Sequence, residues 1–306
     1  MICDALARLQ ILKPLSEYRY VGFSSVYYGD FVLVHKRLGI NKMITVEANL
    51  DAESRLRFNM PFDCIDIEMG FSTNVLPKLK LDEGAAIVWF DYDGVLTESI
   101  RIDAKGLAAS VTPYSVIVVT IDARWEELVK TIKSVEAPNP EEYEALPNVV
   151  KIAQLTGDSR FLTVDLNGGG LAEAYRQSLT GQIEAGVSEQ NRVKAEIGAG
   201  DRIAFRQLFN FRYSDGAEMV TFGWLLYPED EAEKIASADF DSLDFCCAGE
   251  GHYRIAAPKL TFHEIRELNR CLPLGQSPGH VPVSDDFKAD YKKIYRYFPS
   301  FTEAEI

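Results

Sequence analysis

Asp91 and Asp93 flank Tyr92 in the string Phe90-Asp91-Tyr92-Asp93-Gly94-Val95-Leu96-Thr97, at the end of an apolar run. Carboxylates so placed can act as base, acid or nucleophile, or can hold a divalent cation. One of them can equally cap a helix that starts after Gly94. Other polar residues close runs of the same kind: Glu47 after Met43-Ile44-Thr45-Val46, Glu68 after Cys64-Ile65-Asp66-Ile67, and Thr120 after Ser115-Val116-Ile117-Val118-Val119. Gly22 closes Arg19-Tyr20-Val21, where the missing side chain allows a tight turn or close approach of a ligand to the backbone.

These ends recur at intervals of roughly 21 to 30 residues up to Trp125, the beat of repeated βα units. In such a fold the strand C-termini line one edge of a parallel sheet, and ligands bind there. The runs 85–90 and 115–120 are continuously apolar, the pattern of central strands buried on both faces. Helices are expected between the strands. One is 26–38, where Val26, Phe31, Val34 and Leu38 keep a helical period and Gly39 supplies a stop; others are 50–59, a weak 74–81 interrupted by Pro77, and 98–110.

Beyond Arg124 the pattern changes. Val135-Glu136-Ala137-Pro138-Asn139-Pro140-Glu141-Glu142 is acidic and broken by proline, with helical material around 170–198, so 125–200 reads as a helical insertion or cap on a core of 1–124. Gly168-Gly169-Gly170 reads as a hinge, with no lysine following in P-loop spacing. Two apolar-rich runs, 203–213 and 219–227, surround Ser214-Asp215-Gly216 and make a hairpin that completes the sheet over 201–230. The rest, 231–306, reads as an extension packed on the core. Within it Thr261 and Glu264 have capping-box spacing. Its aromatic stripe of Phe287, Tyr291, Tyr295, Tyr297, Phe298 and Phe301 packs the tail on the main domain or receives a protein partner.

The 306 residues suffice for one large α/β domain with an insertion. Lys and Arg number 32 against 46 Asp and Glu, a formal charge of −14 that argues against duplex nucleic acid as partner. The first residues carry no basic segment followed by an apolar core, and no run approaches the eighteen or so apolar residues of a membrane span. A cytoplasmic protein is therefore expected. The five cysteines are scattered, without CxxC spacing or clustered histidine, so neither a disulfide framework nor a structural zinc site is indicated.

Five parallel units followed by an antiparallel hairpin resemble the class I S-adenosylmethionine-dependent methyltransferases over 18–124 and 203–227. The string Tyr20-Val21-Gly22-Phe23-Ser24-Ser25-Val26-Tyr27-Tyr28-Gly29-Asp30-Phe31 is also similar to the opening of uncharacterised bacterial proteins labelled putative O-methyltransferases. The resemblance implies an α/β, Rossmann-like, doubly wound and mostly parallel sheet, S-adenosylmethionine as cofactor, and methyl transfer to an unidentified small-molecule or protein acceptor. It implies that Gly22, Phe23 and Ser24 form the first cofactor loop and that Glu47 accepts hydrogen bonds from the ribose hydroxyls. Gly70, Phe71 and Ser72 would lie against the adenine. Asp91 would face the methionine end or the acceptor, and Asp91 with Asp93 would supply the catalytic base. This first loop departs from the family's pattern of two or three closely spaced glycines, so bulky Phe23 and Tyr27 are expected to narrow the pocket.

Two other functions fit parts of the chain. One is a methyltransferase-like scaffold without cofactor, serving a bacterial multi-protein system. The other follows from Asp91-Tyr92-Asp93-Gly94-Val95-Leu96-Thr97, which taken alone looks like the first motif of haloacid-dehalogenase-type phosphatases. That likeness implies Asp91 as nucleophile, Asp93 as acid and base, and Mg²⁺ held by both. Thr120, Lys151 and Gly157-Asp158 with Asp165 would be its remaining motifs. Such a nucleophile belongs on the first strand of its domain, whereas here three βα units precede Asp91 with no linker. The beat makes Asp91 the end of a fourth strand, and methyl transfer is the expected activity.

Overall fold

A computed structural model describes residues 1–298 apart from 167, 168, 199, 215, 274 and 276–278. Gly168, Asp215 and Phe301 lie outside the described residues. Five strands run parallel: β1 (Arg19–Gly22), β2 (Met43–Glu47), β3 (Ile65–Met69), β4 (Ala86–Asp91) and β5 (Val116–Asp122). The hairpin β6 (Ile203–Ser214) and β7 (Glu218–Pro228) follows, with β7 antiparallel to β5. A short β8 (Tyr253–Ile255) pairs parallel with β6. The order across the sheet is β3-β2-β1-β4-β5-β7-β6-β8. The chain winds outward from β1 through β2 to β3, then crosses back to β4 beside β1. The direction of winding therefore reverses between β1 and β4, and a crevice opens outside the C-terminal ends of those two strands.

The helices are α1 (Ile2–Ala7), α2 (Gly29–Leu38), α3 (Glu53–Asn59), α4 (Ser72–Val75), α5 (Glu98–Ser110) and α6 (Trp125–Lys133). After them come α7 (Pro140–Ala145), α8 (Asn148–Thr156), α9 (Gly170–Ile197), α10 (Ala232–Ser237), α11 (Phe262–Asn269) and α12 (Asp285–Ile294). Alternation along each strand sends side chains to two separate cores. Val21, Val88, Phe90, Ile117 and Val119 meet Leu107 of α5 and Leu179 and Ile183 of α9 on one face. Tyr20, Ile87, Val116 and Val118 meet Phe31 and Val34 of α2, Leu6 of α1 and Phe209 on the other. Every residue of β5 is buried, the apolar run 116–119 as a central strand requires, and Thr120 and Asp122 with it.

The elements differ from the sequence expectations where turn chemistry intervenes. The helix expected from Val26 starts at Gly29, because Tyr28 adopts a left-handed conformation (φ 50°). The expected helix over 74–81 is a short α4 followed by a 3₁₀ turn, Leu76–Lys78, with Pro77 inside it. Proline cannot donate the hydrogen bond that would continue the α-helix. β8 was not expected at all; it lies in the C-terminal extension and joins the sheet as an edge strand.

That extension packs in two ways. Ile235, Ala238, Phe240 and Phe245 enter the α2-side core, while Leu268, Val281 and Tyr291 form a small cluster of their own. Thr261 and Glu264 make the reciprocal bonds of a capping box on α11. Tyr297 closes the tail onto the N-terminus: its hydroxyl donates to Asp4 Oδ2 at 2.8 Å and its ring meets Phe245 edge-on. Among the described residues no helix is long and apolar enough to cross a membrane.

Candidate functional site

A cavity of about 450 Å³ opens where the ends of the first four strands meet, a size suited to a small organic ligand. Phe23, Ser24 and Ser25 come from the loop after β1, Val46, Glu47 and Ala48 from the end of β2, Gly70, Phe71 and Ser72 from the turn after β3, and Asp91, Tyr92 and Asp93 from the end of β4. Of the residues to which the methyltransferase resemblance gives cofactor or base roles, all meet here except Gly22. That glycine is buried at the end of β1, where an added Cβ would stand 3.0 Å from the Tyr20 hydroxyl and 3.2 Å from the Trp89 carbonyl oxygen. Its small size makes room inside the sheet, beneath the cavity.

Side-chain contacts hold the glycine-poor first loop. The Phe23 ring lies parallel to Phe90 with centroids 4.4 Å apart, and Tyr92 meets it edge-on at 5.0 Å. The Ser24 amide donates to Thr45 Oγ1 at 3.1 Å, and that hydroxyl donates to Ser24 Oγ at 2.7 Å. Of the two bulky residues expected to narrow the pocket, only Phe23 lines it. Tyr27 is 81% exposed, and the neighbouring Tyr28 is buried, with its hydroxyl donating to the Leu56 carbonyl at 3.2 Å.

Glu47 is half-buried and accepts the Asn49 amide at 2.7 Å through Oε1, which orients its carboxylate beside the cavity. Its carbonyl accepts the Gly70 amide at 2.7 Å, tying the ends of β2 and β3. Gly70 has φ +142°, a conformation that side-chain-bearing residues rarely adopt. Phe71 stands 66% exposed at the rim.

The wall behind Ser72 and Tyr92 contains a carboxylate that strand-end reasoning missed. Asp103 of α5 is 4% exposed and accepts both the Ser72 hydroxyl at 2.5 Å and the Tyr92 hydroxyl at 2.9 Å through Oδ2. Burial pushes the Asp103 carboxyl above its usual range, against the pull of those two donors. Burial likewise pushes the Tyr92 phenol well up, and the Asp103 charge adds to it. A sequence signal for Asp103 existed: it falls in step with Ile100, Ala104 and Leu107 on the apolar stripe of its helix. Tyr92, Ser25, Val46 and Ala48 were also missed as cavity residues, each adjoining a residue that was named.

The β4 end is held against β5. Asp91 lies opposite Thr120 in the parallel register, the Tyr92 amide donates to the Thr120 carbonyl at 2.9 Å, and the Asp122 amide donates to the Gly94 carbonyl at 3.0 Å. Thr120 is buried, with its hydroxyl bonded to Trp89 Nε1 and to the Thr221 hydroxyl. The other phosphatase-type candidates lie elsewhere. Lys151 donates to the Glu144 carbonyl at 3.0 Å and sits over the Tyr143 ring, and Asp158 pairs with Arg160 and Arg101 and accepts the Ser178 hydroxyl. Neither these two nor Thr120 and Asp165 lines the cavity. Asp91 ends the fourth strand of its sheet, as the beat of strand ends requires. Among the described residues no group of three or more His, Cys, Asp or Glu side chains is placed to hold a metal ion.

The cavity is acidic. Glu47, Asp91 and Asp93 line it, and among the described residues no Lys, Arg or His does. Such a lining favours cationic or neutral ligands and opposes phosphates.

The family described as "Putative O-methyltransferase" matches this chain over residues 1–306. No curated protein gives a match. Similar solved structures include the O-methyltransferase TomG from Streptomyces achromogenes in complex with SAM, at 14% identity over 73% of this chain and 78% of that one, TM-score 0.36. An O-methyltransferase from Bacillus cereus with SAH is similar at 11% identity over 72% and 79%, TM-score 0.37. A protein from Rhodobacter sphaeroides described as "Putative Zn-dependent Alcohol Dehydrogenases" is similar at 13% over 72% and 89%, TM-score 0.38. Likenesses of this size carry no argument about activity. The full-length family match does establish membership: this chain belongs to the family of putative O-methyltransferases.

Proposed function

We propose that the chain binds S-adenosylmethionine in the cavity at the β1/β4 crevice and transfers its methyl group to an oxygen of an unidentified acceptor. The observation that carries this reading is the cavity's place and charge together: a doubly wound sheet's ligand crevice lined by three carboxylates and, among the described residues, no cationic side chain. A nicotinamide or flavin dinucleotide would bring phosphates into that field, whereas a sulfonium with an amino acid tail brings net positive charge. The family match supports the same chemistry.

Glu47 would accept the ribose hydroxyls, held for that task by the Asn49 amide. Gly70, Phe71 and Ser72 would lie against the adenine, Phe23 and Ser24 would form the first loop, and Gly22 would support it from below. Asp91 would face the methionine end or the acceptor. The bound cofactor would supply an electrophilic methyl group. Asp91 or Asp93 would take the proton from the acceptor hydroxyl, and the walls would hold donor and acceptor in line. In the same reading 1–124 and the hairpin 201–230 make the catalytic core, 125–200 a helical insertion and 231–306 a packed extension. The five free cysteines fit a reducing, cytoplasmic setting in a bacterial cell.

Calorimetric titration of the full chain with S-adenosylmethionine and S-adenosylhomocysteine tests this, run beside an assay of phosphate-ester hydrolysis with Mg²⁺. Binding of both adenosyl compounds without hydrolysis is expected. Absence of binding removes the reading and leaves a scaffold, and hydrolysis that Asp91→Asn abolishes would put the phosphatase in its place.

A further inference from the structure

We infer that Asp103 is a positioning residue that sets the hydrogen-bonding polarity of the cavity wall, so that the wall selects a nucleobase carrying an amino group. The inference rests on the reading of the cavity as an adenosyl site. It starts from an oddity of the sequence, a carboxylate on the apolar stripe of α5 between Ile100 and Leu107. Burying such a group is costly unless donors satisfy it, and the structure supplies two on a single oxygen, Ser72 Oγ and Tyr92 OH. Both donors are neutral hydroxyls that meet the same oxygen, Oδ2, so both of their protons point at Asp103.

The consequence lies on the other side of those hydroxyls. Ser72 and Tyr92 line the cavity and Asp103 does not. A hydroxyl owns one proton and two acceptor lone pairs. With each proton committed to Asp103, what remains for a ligand is acceptor capacity alone. An exocyclic amino group satisfies such a wall. A carbonyl in the same place, as in hypoxanthine, meets lone pairs and leaves a buried acceptor unpaired. The arrangement is also rigid, because Tyr92 braces Phe23 edge-on and Phe23 lies on Phe90. One side chain outside the cavity thus governs residues on the β1, β3 and β4 loops.

The test compares S-adenosylhomocysteine with its deaminated counterpart, S-inosylhomocysteine, by calorimetry on the full chain. Wild type should prefer the adenosyl compound by about tenfold or more, the scale of one unpaired buried hydrogen-bonding group. Asp103→Asn can present its amide N–H to the hydroxyls and free their protons, so the preference should shrink towards unity while thermal unfolding stays cooperative. A residue that only supports the fold would lower both affinities together and keep their ratio. Should Asp103→Asn fail to fold, Tyr92→Phe and Ser72→Ala decide, each expected to reduce the ratio. Equal wild-type affinity for the two compounds, or a ratio unchanged in the variants, overturns this inference and leaves the adenosyl reading standing. Wild type that binds neither compound overturns both.

Discussion

Phe23 lies flat on Phe90, ring centroids 4.4 Å apart and planes within 5° of parallel, at the point where the chain leaves β1 for the cavity. A loop rich in glycine would owe its shape to backbone freedom. This one owes its shape to an aromatic stack, to the edge of Tyr92, and to the bonds between Ser24 and Thr45.

Phe23→Ala should therefore cost stability as well as binding. Losing a half-buried ring with its stack costs about 1–3 kcal/mol, visible as a lower urea midpoint at unchanged slope. Affinity for S-adenosylhomocysteine should fall in the same variant. An unchanged midpoint would mean that the ring does not hold the loop.

Gly70→Ala should disturb the turn after β3. The residue would be forced to φ +142° with its Cβ 3.2 Å from Val75 Cγ2, a strain of about 1–3 kcal/mol. The expected result is a destabilised chain whose amide exchange quickens around Glu47 and Gly70, where the two strand ends are bonded. Wild-type exchange and stability would contradict it.

Stability should also depend on pH through Asp158, which joins α8 to α5 and α9. Burial pushes this carboxyl up, but the bonds from Arg160 and Ser178 and the charge of Arg101 outweigh it, and its pKa falls from 3.8 to about 2. A depressed acid contributes stability that is complete above its unfolded value and is lost as pH falls through the folded one. Asp158→Asn should thus be less stable than wild type at neutral pH, and the gap should narrow between 3.8 and about 2. Equilibrium denaturation across that range reads it. A gap that stays constant would mean that the carboxylate's charge contributes nothing.

The strand ends were legible because a parallel sheet writes them plainly: an apolar run stops at a polar or glycine residue near the C-terminal edge. Glu47, Asp91 and the turn at Gly70 could be placed on that ground alone. The same rule demoted the Asp91-Tyr92-Asp93 string from a first-strand motif to a fourth-strand end. Gly22 was ambiguous, since a glycine that spares a ligand and one that spares Tyr20 and Trp89 look identical in sequence. Asp103 was hidden for a different reason. Its partners lie 31 and 11 residues away, and only tertiary packing brings α5 behind the loops they occupy. β8 was unreadable because three residues of mixed burial carry no period.

The central claim is that the acidic cavity at the β1/β4 crevice holds S-adenosylmethionine through Glu47. Calorimetric titration with S-adenosylhomocysteine, on wild type and on Glu47→Ala, tests it most directly. One site per chain is predicted in wild type, with affinity lost by about tenfold or more in Glu47→Ala while thermal unfolding is unchanged, since the carboxylate's hydrogen bond to the Asn49 amide is local. No heat of binding in wild type, or full affinity in Glu47→Ala, would contradict the account.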